Sequence, residues 1–256
     1  VLHPTAHDEP AFHLPMFDLL FTLPSGFGFL TEEEEALVNR RFGVRRPSTI
    51  TGIGVDLELV GEAGRFRRRF EVGDEPYLLY LGRIDPAKGA DELIEYFNAY
   101  KQRSPGPLKL VLAGEAVRPA RGHPDVVVTG FLDEAAKRGA LAGSLALVHP
   151  SYFESFSIVL VEAWAQRRPA IVQRRCEVLA GQAARSGGAI PYSGFAEFEA
   201  AVDLLRADPR LAERLGEAGR RYVEQRYDWS RVLREYERLL VGVAARGTRP
   251  RLPMAR

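Results

Sequence analysis

The middle of the chain alternates short apolar runs with segments whose apolar positions recur at helical spacing. Five runs are apolar at nearly every position: 77-YLLYLG, 108-LKLVLAG, 125-DVVVTG, 144-SLALVHPS and 169-PAIVQ. Strands covered on both faces have this composition, whereas half-solvated strands alternate apolar and polar residues. Helices are predicted over residues 88–103, 133–142, 157–167, 195–206, 208–227 and 229–245. The pattern predicts an α/β fold with a Rossmann-like parallel sheet and helices on both faces.

The first fifty residues follow a different pattern. They hold a strand-like start at 1–8, a helix-like 12-FHLPMFDLLF interrupted by Pro15, and a short apolar 26-GFGFL. Thr31 is predicted to cap a helix that runs to Phe42, and the glutamates at 32–35 suit the positive end of its dipole. This acidic run predicts a solvated first turn. Residues 48–58 predict a connecting strand and turn.

The composition is that of a globular protein and excludes several classes of function. Hydrophobic residues make up 46% and charged residues 27% of the 256, and the formal net charge is +1. This near-balance argues against a nucleic-acid binder, and no apolar run approaches the roughly 20 residues that span a bilayer. The single Cys176 excludes an internal disulfide framework. With no signal peptide at the start, we expect a cytoplasmic protein.

The loops beyond the predicted strands are where ligands of open parallel sheets bind. These loops are 82-GRIDPAKGAD, 114-GEAVRPARG, 130-GFLDEAAK and 149-HPSYFESFS. In the first of them Arg83 follows the strand and Lys88 opens the next helix, which places two cations where a diphosphate could bind. The spacing does not match a Walker A loop. Lysine occurs only at positions 88, 101, 109 and 137, so Lys88 stands out in this arginine-rich chain.

Glu154 and Glu162 lie eight residues apart in 154-ESFSIVLVEA, a loop predicted to run into a helix. Eight helical residues rise about 12 Å, further than the roughly 5 to 9.5 Å between two carboxylates that hydrolyse a glycosidic bond. The two glutamates are therefore not an acid–base pair, but they could contact the two ends of one elongated ligand. Ser155 or Ser157 can cap the helix. Glu162 either faces solvent or binds a ligand hydroxyl among its apolar neighbours.

The sequence resembles the C-terminal half of a retaining glycosyltransferase of the GT-B fold and the large family-4 type. The motifs that carry the resemblance are Y-L-G-R-x-x-x-x-K-G at 80–89, L-x-G-E at 112–115, V-x-x-x-G-F-L at 126–132, P-S-x-x-E-S-F-S-I-x-x-x-E-A at 150–163, R-P-A-I-V at 168–172 and a tail, 221-RYVEQRYDWSRVLREYERLL. The resemblance implies a remnant of an acceptor-side α/β domain at 1–50, a donor-binding domain at 51–228, and a helix at 229–256 that crosses back to the first segment.

The resemblance also implies a role for each motif residue. Glu154 would sit beside the donor sugar, and Glu162 would bind the ribose hydroxyls of the nucleotide. Arg83 and Lys88, next to Gly82, would hold the diphosphate and stabilise its charge as the sugar leaves. The resemblance also implies that the base contacts the loop of Gly130, Phe131 and Leu132. The backbone N–H groups of Phe156, Ser157 and Ile158 would contact the sugar and phosphate. His7 would contact the donor sugar.

The activity implied by the resemblance is sugar transfer from a UDP- or GDP-sugar to an unknown acceptor, with retention of configuration. No D-x-D metal motif is present, so neither a metal nor a cofactor is expected. Glycine is common in the family where this chain has Ser155 and Ser157, which leaves the backbone less free here. Because most of an acceptor-binding domain would lie outside this chain, the alternative is a non-catalytic nucleotide-sugar binding module or an inactive fragment.

Other motifs support weaker hypotheses. His3, His7 and Asp8 could suggest a metal site, but Pro4 intervenes and the segment is not helical. A dehydrogenase could be suggested by 52-GIG, which lacks the third glycine of a dinucleotide-binding loop. The arginines at 65 and 67–69 could contact anionic lipid as a peripheral membrane site, although a solvated surface is the simpler interpretation.

Overall fold

The structure is a computed structural model that describes residues 1–7, 10–117 and 123–246. The chain divides into two compact units. Unit 1 comprises residues 1–54, residues 153–156 and the chain from residue 226; unit 2 comprises residues 55–152 and 157–225.

The secondary structure of the described residues follows in chain order. The helices are α1 (Met16–Thr22), α2 (Glu32–Phe42), α3 (Ala63–Arg69), α4 (Ala90–Arg103), α5 (Glu134–Gly143), α6 (Ile158–Ala165), α7 (Glu177–Ser186), α8 (Phe195–Ala207), α9 (Pro209–Arg226) and α10 (Trp229–Ala245). The strands are β1 (Phe27–Phe29), β2 (Ser48–Ile50), β3 (Tyr77–Leu81), β4 (Lys109–Ala113), β5 (Val126–Gly130), β6 (Ala146–His149), β7 (Ala170–Gln173) and β8 (Ala189–Tyr192). Short 3-10 turns occupy Pro10–His13 and Pro86–Lys88.

Unit 2 is built on a parallel sheet with the strand order β5-β4-β3-β6-β7-β8. Strand β3 pairs with both β4 and β6, so that Leu79 lies between Val111 and Leu147. The chain builds outward from β3 to β5 and then returns to add β6, β7 and β8 on the other side. This is the Rossmann strand order, whose ligand crevice lies at the carboxyl ends of the two central strands. The predicted fold class is confirmed.

Helices cover both faces of this sheet. On one face, Phe97 of α4 and Phe198 of α8 pack against alternate strand residues such as Leu110. On the other face, α5, α6 and α7 contact β3, β6 and β7, and the Tyr77 hydroxyl donates to the Ala140 carbonyl at 2.6 Å. The central strands are thus buried on both sides, which explains why their sequences are continuously apolar.

The predicted elements of unit 2 differ from the observed ones mainly at their ends. Helix α4 begins at Ala90 rather than at residue 88, because Lys88 ends a 3-10 turn and Gly89 takes a left-handed backbone conformation with φ +74°. Helix α6 begins at Ile158 and ends at Ala165, short of the predicted residue 167. The five predicted strands are all present, in the predicted order.

The sequence pattern does not predict three elements of unit 2. Strand β8 contains Pro191, which lacks an N–H and is tolerated because β8 lies at the edge of the sheet beside β7. Helix α3 consists largely of arginines and buries Phe66 alone, so it carries no apolar stripe. In α7 the buried face includes the polar Gln182, which interrupts the hydrophobic period.

Unit 1 is organised around the parallel strand pair β1 and β2, with an aromatic core. Its buried hydrophobic cluster consists of Ala6, Phe12, Phe21, Phe27, Phe29, Leu37 and Val38. Helix α10 packs on the strand pair, and Val243 approaches Gly26 so closely that a β-carbon there would lie 2.6 Å from it. The ring of Trp229 likewise leaves no room for a β-carbon at Gly54. The chain passes from unit 1 to unit 2 after residue 54 and returns to unit 1 at residue 226. Residues 247–256 of the predicted tail lie outside the described residues.

The carboxylate of Glu34 is buried, so the predicted solvated first turn of α2 is wrong at this position. The residue is 1% exposed, and its two oxygens accept hydrogen bonds from the N–H groups of Ala6 and Leu30, at 2.5 and 2.6 Å. Thr31 caps the helix as predicted, because its side chain accepts from the Glu34 N–H. The spacing T-x-x-E resembles a capping box, in which the glutamate folds back over the start of the helix.

Glu34 should make the stability of the protein depend on pH. Burial raises the pKa of its carboxyl to about 7 from 4.5, although the N–H groups of Leu30 and Ala6 favour the ionised form. The folded protein therefore holds this proton more tightly than the unfolded chain does. Between pH 4.5 and 7 the Glu34 contribution to the free energy of unfolding should fall as pH rises, by about 3 kcal/mol.

Denaturant unfolding of the wild type and of Glu34→Gln, at several pH values from 4.5 to 7.5, measures this effect. The free energy of unfolding of the wild type minus that of Glu34→Gln should fall as pH rises. The wild type loses the Glu34 contribution over this range, whereas glutamine has no proton to lose. A difference that is the same at every pH would contradict the assignment.

Candidate functional site

The carboxyl ends of β3, β4 and β6 meet at one edge of unit 2, where the backbone packs closely. Gly89, with φ +74°, lies so near the loop after β6 that a β-carbon would sit 2.6 Å from the carbonyl oxygen of Pro150. Gly114, after β4, lies against the loop after β3, and a β-carbon there would sit 1.9 Å from the carbonyl oxygen of Gly82. These contacts hold three of the predicted ligand-binding loops together.

Arg83 and Lys88 lie in the loop after β3, and one carboxylate organises both. Arg83 is 61% exposed, and its Nε lies 2.8 Å from Oδ2 of Asp85. Asp85 also accepts from the N–H of Ala87 at 2.8 Å and so caps the 3-10 turn that ends at Lys88. Within the residues that the structure describes, the Arg83 guanidinium is paired only through Nε. Its terminal nitrogens are therefore available to an anion.

The loop after β5 presents one aromatic side chain to solvent. Gly130 ends the strand, Phe131 is 85% exposed and Leu132 is buried. Asp133 then caps α5 by accepting from the N–H of Ala136 at 2.8 Å. Leu132 can offer a ligand only its backbone groups, whereas Phe131 also offers a ring face.

Helix α6 begins in strained backbone. Ser157 is its N-cap residue, with φ +68° and ψ +81°, a conformation that residues other than glycine rarely adopt. The Ser157 hydroxyl makes no capping hydrogen bond, and Oγ is buried without a partner among the described residues. The predicted side-chain cap at Ser155 or Ser157 is therefore wrong. Ile158, the first helical residue, is 42% exposed. Strained backbone and unsatisfied buried groups are concentrated at functional sites.

Glu162 is paired with a lysine from another helix. Its Oε1 lies 2.6 Å from Nζ of Lys137 on α5, and the two side chains are 18% and 16% exposed. The other carboxylate oxygen, Oε2, is buried and has no hydrogen-bond partner in the described part of the chain. The solvent-facing alternative for Glu162 is therefore wrong. An unsatisfied carboxylate oxygen beside a satisfied one is the acceptor that a ligand hydroxyl would complete.

Burial and the ion pair act on the two side chains in opposite directions. Burial raises the pKa of the Glu162 carboxyl, and the hydrogen bond and charge of Lys137 offset part of that rise. Burial also disfavours the charged form of Lys137, but the hydrogen bonds that its ammonium donates to Glu162 and Glu134 outweigh this effect and raise the pKa of the lysine. Glu134 lies 2.9 Å from the lysine but is 72% exposed, so solvent screens its contribution.

Three predicted site residues, His7, Glu154 and Phe156, belong to unit 1. The His7 ring lies 6.4 Å, centroid to centroid, from the ring of Phe153. Unit 1 therefore places this histidine beside the segment that contains Glu154. The same segment is held by the Thr31 hydroxyl, which donates to the carbonyl of Ser155 at 3.1 Å.

Phe156 is buried in unit 1, with its ring edge-on to Tyr227 at 5.0 Å. Its side chain therefore anchors the segment 153–156, and only its backbone remains as a candidate ligand contact. Because α6 begins at Ile158, half of the stretch from Glu154 to Glu162 is not helical. The 12 Å estimate for a continuous helix does not apply to this pair.

The weaker hypotheses find no support in the fold. The His3 ring packs against Tyr236 at 5.1 Å, and Asp8 lies outside the described residues. In residues 1–7, 10–117 and 123–246 no three His, Cys, Asp or Glu side chains gather as metal ligands would. The segment 52-GIG is followed by loop and does not open a helix.

The basic run has partly structural roles. Arg67 donates to the carbonyls of Gly73 and Glu75, at 2.6 and 2.9 Å, and Arg69 lies 2.6 Å from Asp133. The arginines at 65 and 68 are exposed. Across the described ranges, no helix has both the length and the apolar character that a membrane crossing requires.

Two residues of this site, Asp85 and Lys137, are not predicted from the sequence. Asp85 carries a recognisable signal, since aspartate followed by proline commonly starts a helical turn. Lys137 carries only a compositional signal, as one of four lysines in the chain. Its partner Glu162 lies 25 residues further along the chain, and no local spacing rule connects them.

Comparison with known proteins identifies the family. The family described as "Glycosyl transferases group 1" matches residues 64–222, more than half of the chain. The chain belongs to this family, which confirms the resemblance stated above. It is 30% identical over 172 residues to an alpha-D-kanosaminyltransferase of Streptomyces kanamyceticus, covering 63% of this chain and 44% of the relative. It is 31% identical over 193 residues to a glycogen synthase of Mycobacterium tuberculosis, covering 69% and 45%. The chain thus spans less than half the length of these relatives.

Solved structures share the fold. Sucrose-phosphate synthase from Thermosynechococcus elongatus superposes with a TM-score of 0.77 at 22% identity, over 94% of this chain and 63% of that one. Anabaena Alr3699/HepE, solved in complex with UDP, superposes with a TM-score of 0.80 at 16% identity, over 94% and 71%. The Rossmann-like unit is therefore of the GT-B type.

The strained start of α6 predicts that Ser157→Gly stabilises the protein. Glycine relieves the left-handed backbone, by about 1 kcal/mol, and removes a buried hydroxyl that lacks a partner. We expect the free energy of unfolding to rise by about 1 to 2 kcal/mol, measured by denaturant titration.

Ser157→Ala is the matched control, since it removes the hydroxyl but keeps the β-carbon and its strain. Its gain should be smaller than that of Ser157→Gly. If alanine stabilises the protein as much as glycine does, the backbone at residue 157 is not strained.

Proposed function

We propose that this chain binds a nucleoside diphosphate sugar at the carboxyl edge of the unit 2 sheet and forms the donor side of a retaining glycosyltransferase. The observation that carries the proposal is that the Arg83–Lys88 loop and helix α6, which holds an unsatisfied buried carboxylate at Glu162, follow two neighbouring parallel strands of unit 2, β3 and β6. Membership of a glycosyl transferase family supports it. The structures of HepE in complex with UDP and with UDP-glucose, a protein of the same fold, also support it.

In this proposal the cations bind the diphosphate. Arg83 offers the guanidinium nitrogens that Asp85 leaves available, and Lys88 approaches from the 3-10 turn that Asp85 caps. Their fixed charges would stabilise the negative charge that develops on the leaving diphosphate. The N–H groups of Ser157 and Ile158 at the start of α6 would add the positive end of a helix dipole. These groups neutralise the donor without requiring a metal ion.

The nucleoside would occupy the other side of the crevice. Glu162 would accept hydrogen bonds from the ribose hydroxyls through Oε2. The base would lie on the loop of Gly130 and Leu132, against backbone groups and the exposed ring of Phe131. Backbone recognition can accommodate either uracil or guanine, so the proposal includes both UDP- and GDP-sugars.

Glu154 and His7 would act near the sugar. Unit 1 places His7 beside the segment 153–156, and both roles come from the family resemblance alone.

A second candidate function is donor binding without transfer. The observation in its favour is that the chain spans only 44–45% of the length of its relatives. A donor-binding unit could retain Arg83, Lys88 and Glu162 and still lack the acceptor site.

Calorimetry followed by a product assay distinguishes the two candidates. UDP, GDP, UDP-glucose and GDP-mannose should be titrated into the protein, and the tightest sugar nucleotide then incubated with simple sugar acceptors. We expect at least one of these nucleotides to bind. Binding with formation of an α-linked product supports the retaining transferase, binding without product supports the module, and no binding of any nucleotide contradicts both.

Arg83→Ala and Lys88→Ala test the diphosphate contacts. Each substitution removes a charge worth about 3 kcal/mol in the transition state, so turnover should fall at least about tenfold in whichever form of the protein transfers sugar. Affinity for the nucleoside diphosphate should fall as well, by calorimetry. Arg68→Ala, which removes an exposed arginine from α3, is the control. Near wild-type turnover in both site variants would refute the assignment.

A further inference from the structure

We propose that Lys137 is a positioning residue for the nucleoside subsite, holding the Glu162 carboxylate ionised and oriented so that Oε2 meets the vicinal hydroxyls of a ribose. This inference rests on the proposed function and adds a residue that none of the family motifs described above contains.

The contact itself is the first step. Lys137 and Glu162 lie in the first two turns of α5 and α6, helices that both begin at the carboxyl edge of the sheet. The distance from Nζ to Oε1 is 2.6 Å, and both side chains are largely buried. A charge pair at this distance and depth holds its two side chains in one arrangement far more strongly than an exposed pair does.

The pairing is also asymmetric, because the two oxygens of the Glu162 carboxylate differ in their contacts. Lys137 contacts one oxygen of the carboxylate, and the other oxygen is buried with no partner among the described residues. Leaving a buried acceptor unpaired costs about 1 to 3 kcal/mol. A structural ion pair would gain by satisfying both oxygens. Here the lysine fixes the carboxylate at one end and leaves an acceptor at the other for a donor that the protein itself does not supply.

The charge of Lys137 also determines what kind of acceptor Glu162 is. Burial favours the neutral acid, which would place a proton on one of the oxygens and weaken it as an acceptor. The ammonium group opposes that protonation. A ribose diol donating to an ionised carboxylate forms charge-assisted hydrogen bonds, which are roughly twice as strong as neutral ones.

The other neighbour of Lys137 does not explain its position. Glu134 lies one turn earlier on α5 and is 72% exposed. A pair of this kind on a helix surface contributes about 0.3 to 0.5 kcal/mol. The buried contact with Glu162 is therefore the dominant one, and Glu134 provides a matched control.

The test compares the affinity of a ribonucleotide with that of its 2′,3′-dideoxy analogue on the same protein. Whichever of UDP or GDP binds the wild type more tightly is used, with calorimetry for Lys137→Met, Lys137→Arg, Glu162→Gln, Glu134→Gln and the double variant Lys137→Met/Glu162→Gln. Taking the ratio of the two affinities on each protein cancels any loss of folded material.

We expect Lys137→Met to weaken ribonucleotide binding about tenfold and to leave binding of the dideoxy analogue within about twofold, as Glu162→Gln should. Lys137→Arg should retain most of the wild-type preference for the ribonucleotide, and Glu134→Gln should retain all of it. The double variant should bind the ribonucleotide no more weakly than Glu162→Gln alone does, because the lysine acts through the glutamate.

Three outcomes would overturn the inference. If Lys137→Met keeps the ribonucleotide preference, the lysine does not position Glu162, and the proposed function still stands. If it weakens both nucleotides equally, its role is structural only. If the wild type binds neither UDP nor GDP, the proposed function fails and this inference fails with it.

Discussion

The close contact of backbone with backbone at the carboxyl edge of the unit 2 sheet is the constraint on which the rest of the site depends. Gly89 lies against the carbonyl of Pro150, and Gly114 lies against the carbonyl of Gly82, at distances that leave no room for a β-carbon. These contacts fix the loops after β3, β4 and β6 relative to one another. The loop that carries Arg83 and Lys88 therefore has its position set by steric exclusion, while Asp85 pairs with Arg83 and caps the turn that ends at Lys88.

Much of the unit 2 fold can be predicted from the sequence because parallel strands buried on both faces leave a simple signal. The continuous apolar runs around Leu79, Val111 and Leu147 occur where the sheet has its central strands. The signal fails where burial is partial or the buried residue is polar. Strand β8 lies at the sheet edge and includes Pro191, and α7 places Gln182 in its buried face. In both cases tertiary packing outweighs a local preference that favours another structure.

Whether a residue of the candidate site can be predicted also depends on how far along the chain its partners lie. Residues that follow a strand directly, such as Arg83 and Phe131, can be located from the strand order alone, because the carboxyl ends of parallel strands share one edge. Partners brought together from distant segments cannot. Lys137 meets Glu162 across 25 residues, and Glu34 reaches the N–H of Ala6 across 28. Their burial follows from how helices pack on the sheet, and no spacing within either segment encodes it.

The start of α6 shows why such a site is less stable than an ordinary helix start. An ordinary N-cap serine accepts a hydrogen bond from the first turn, whereas Ser157 makes none and adopts a left-handed conformation. One turn later, Glu162 keeps an unsatisfied oxygen beside a fully engaged one. Each feature destabilises the protein without a ligand by about 1 kcal/mol or more. A ligand hydroxyl that donates to Oε2 of Glu162 would recover the cost of that unsatisfied oxygen on binding, because the carboxylate is already desolvated and held by Lys137. In the proposed function, the buried oxygen that destabilises the protein without a ligand is therefore the group that binds the ribose.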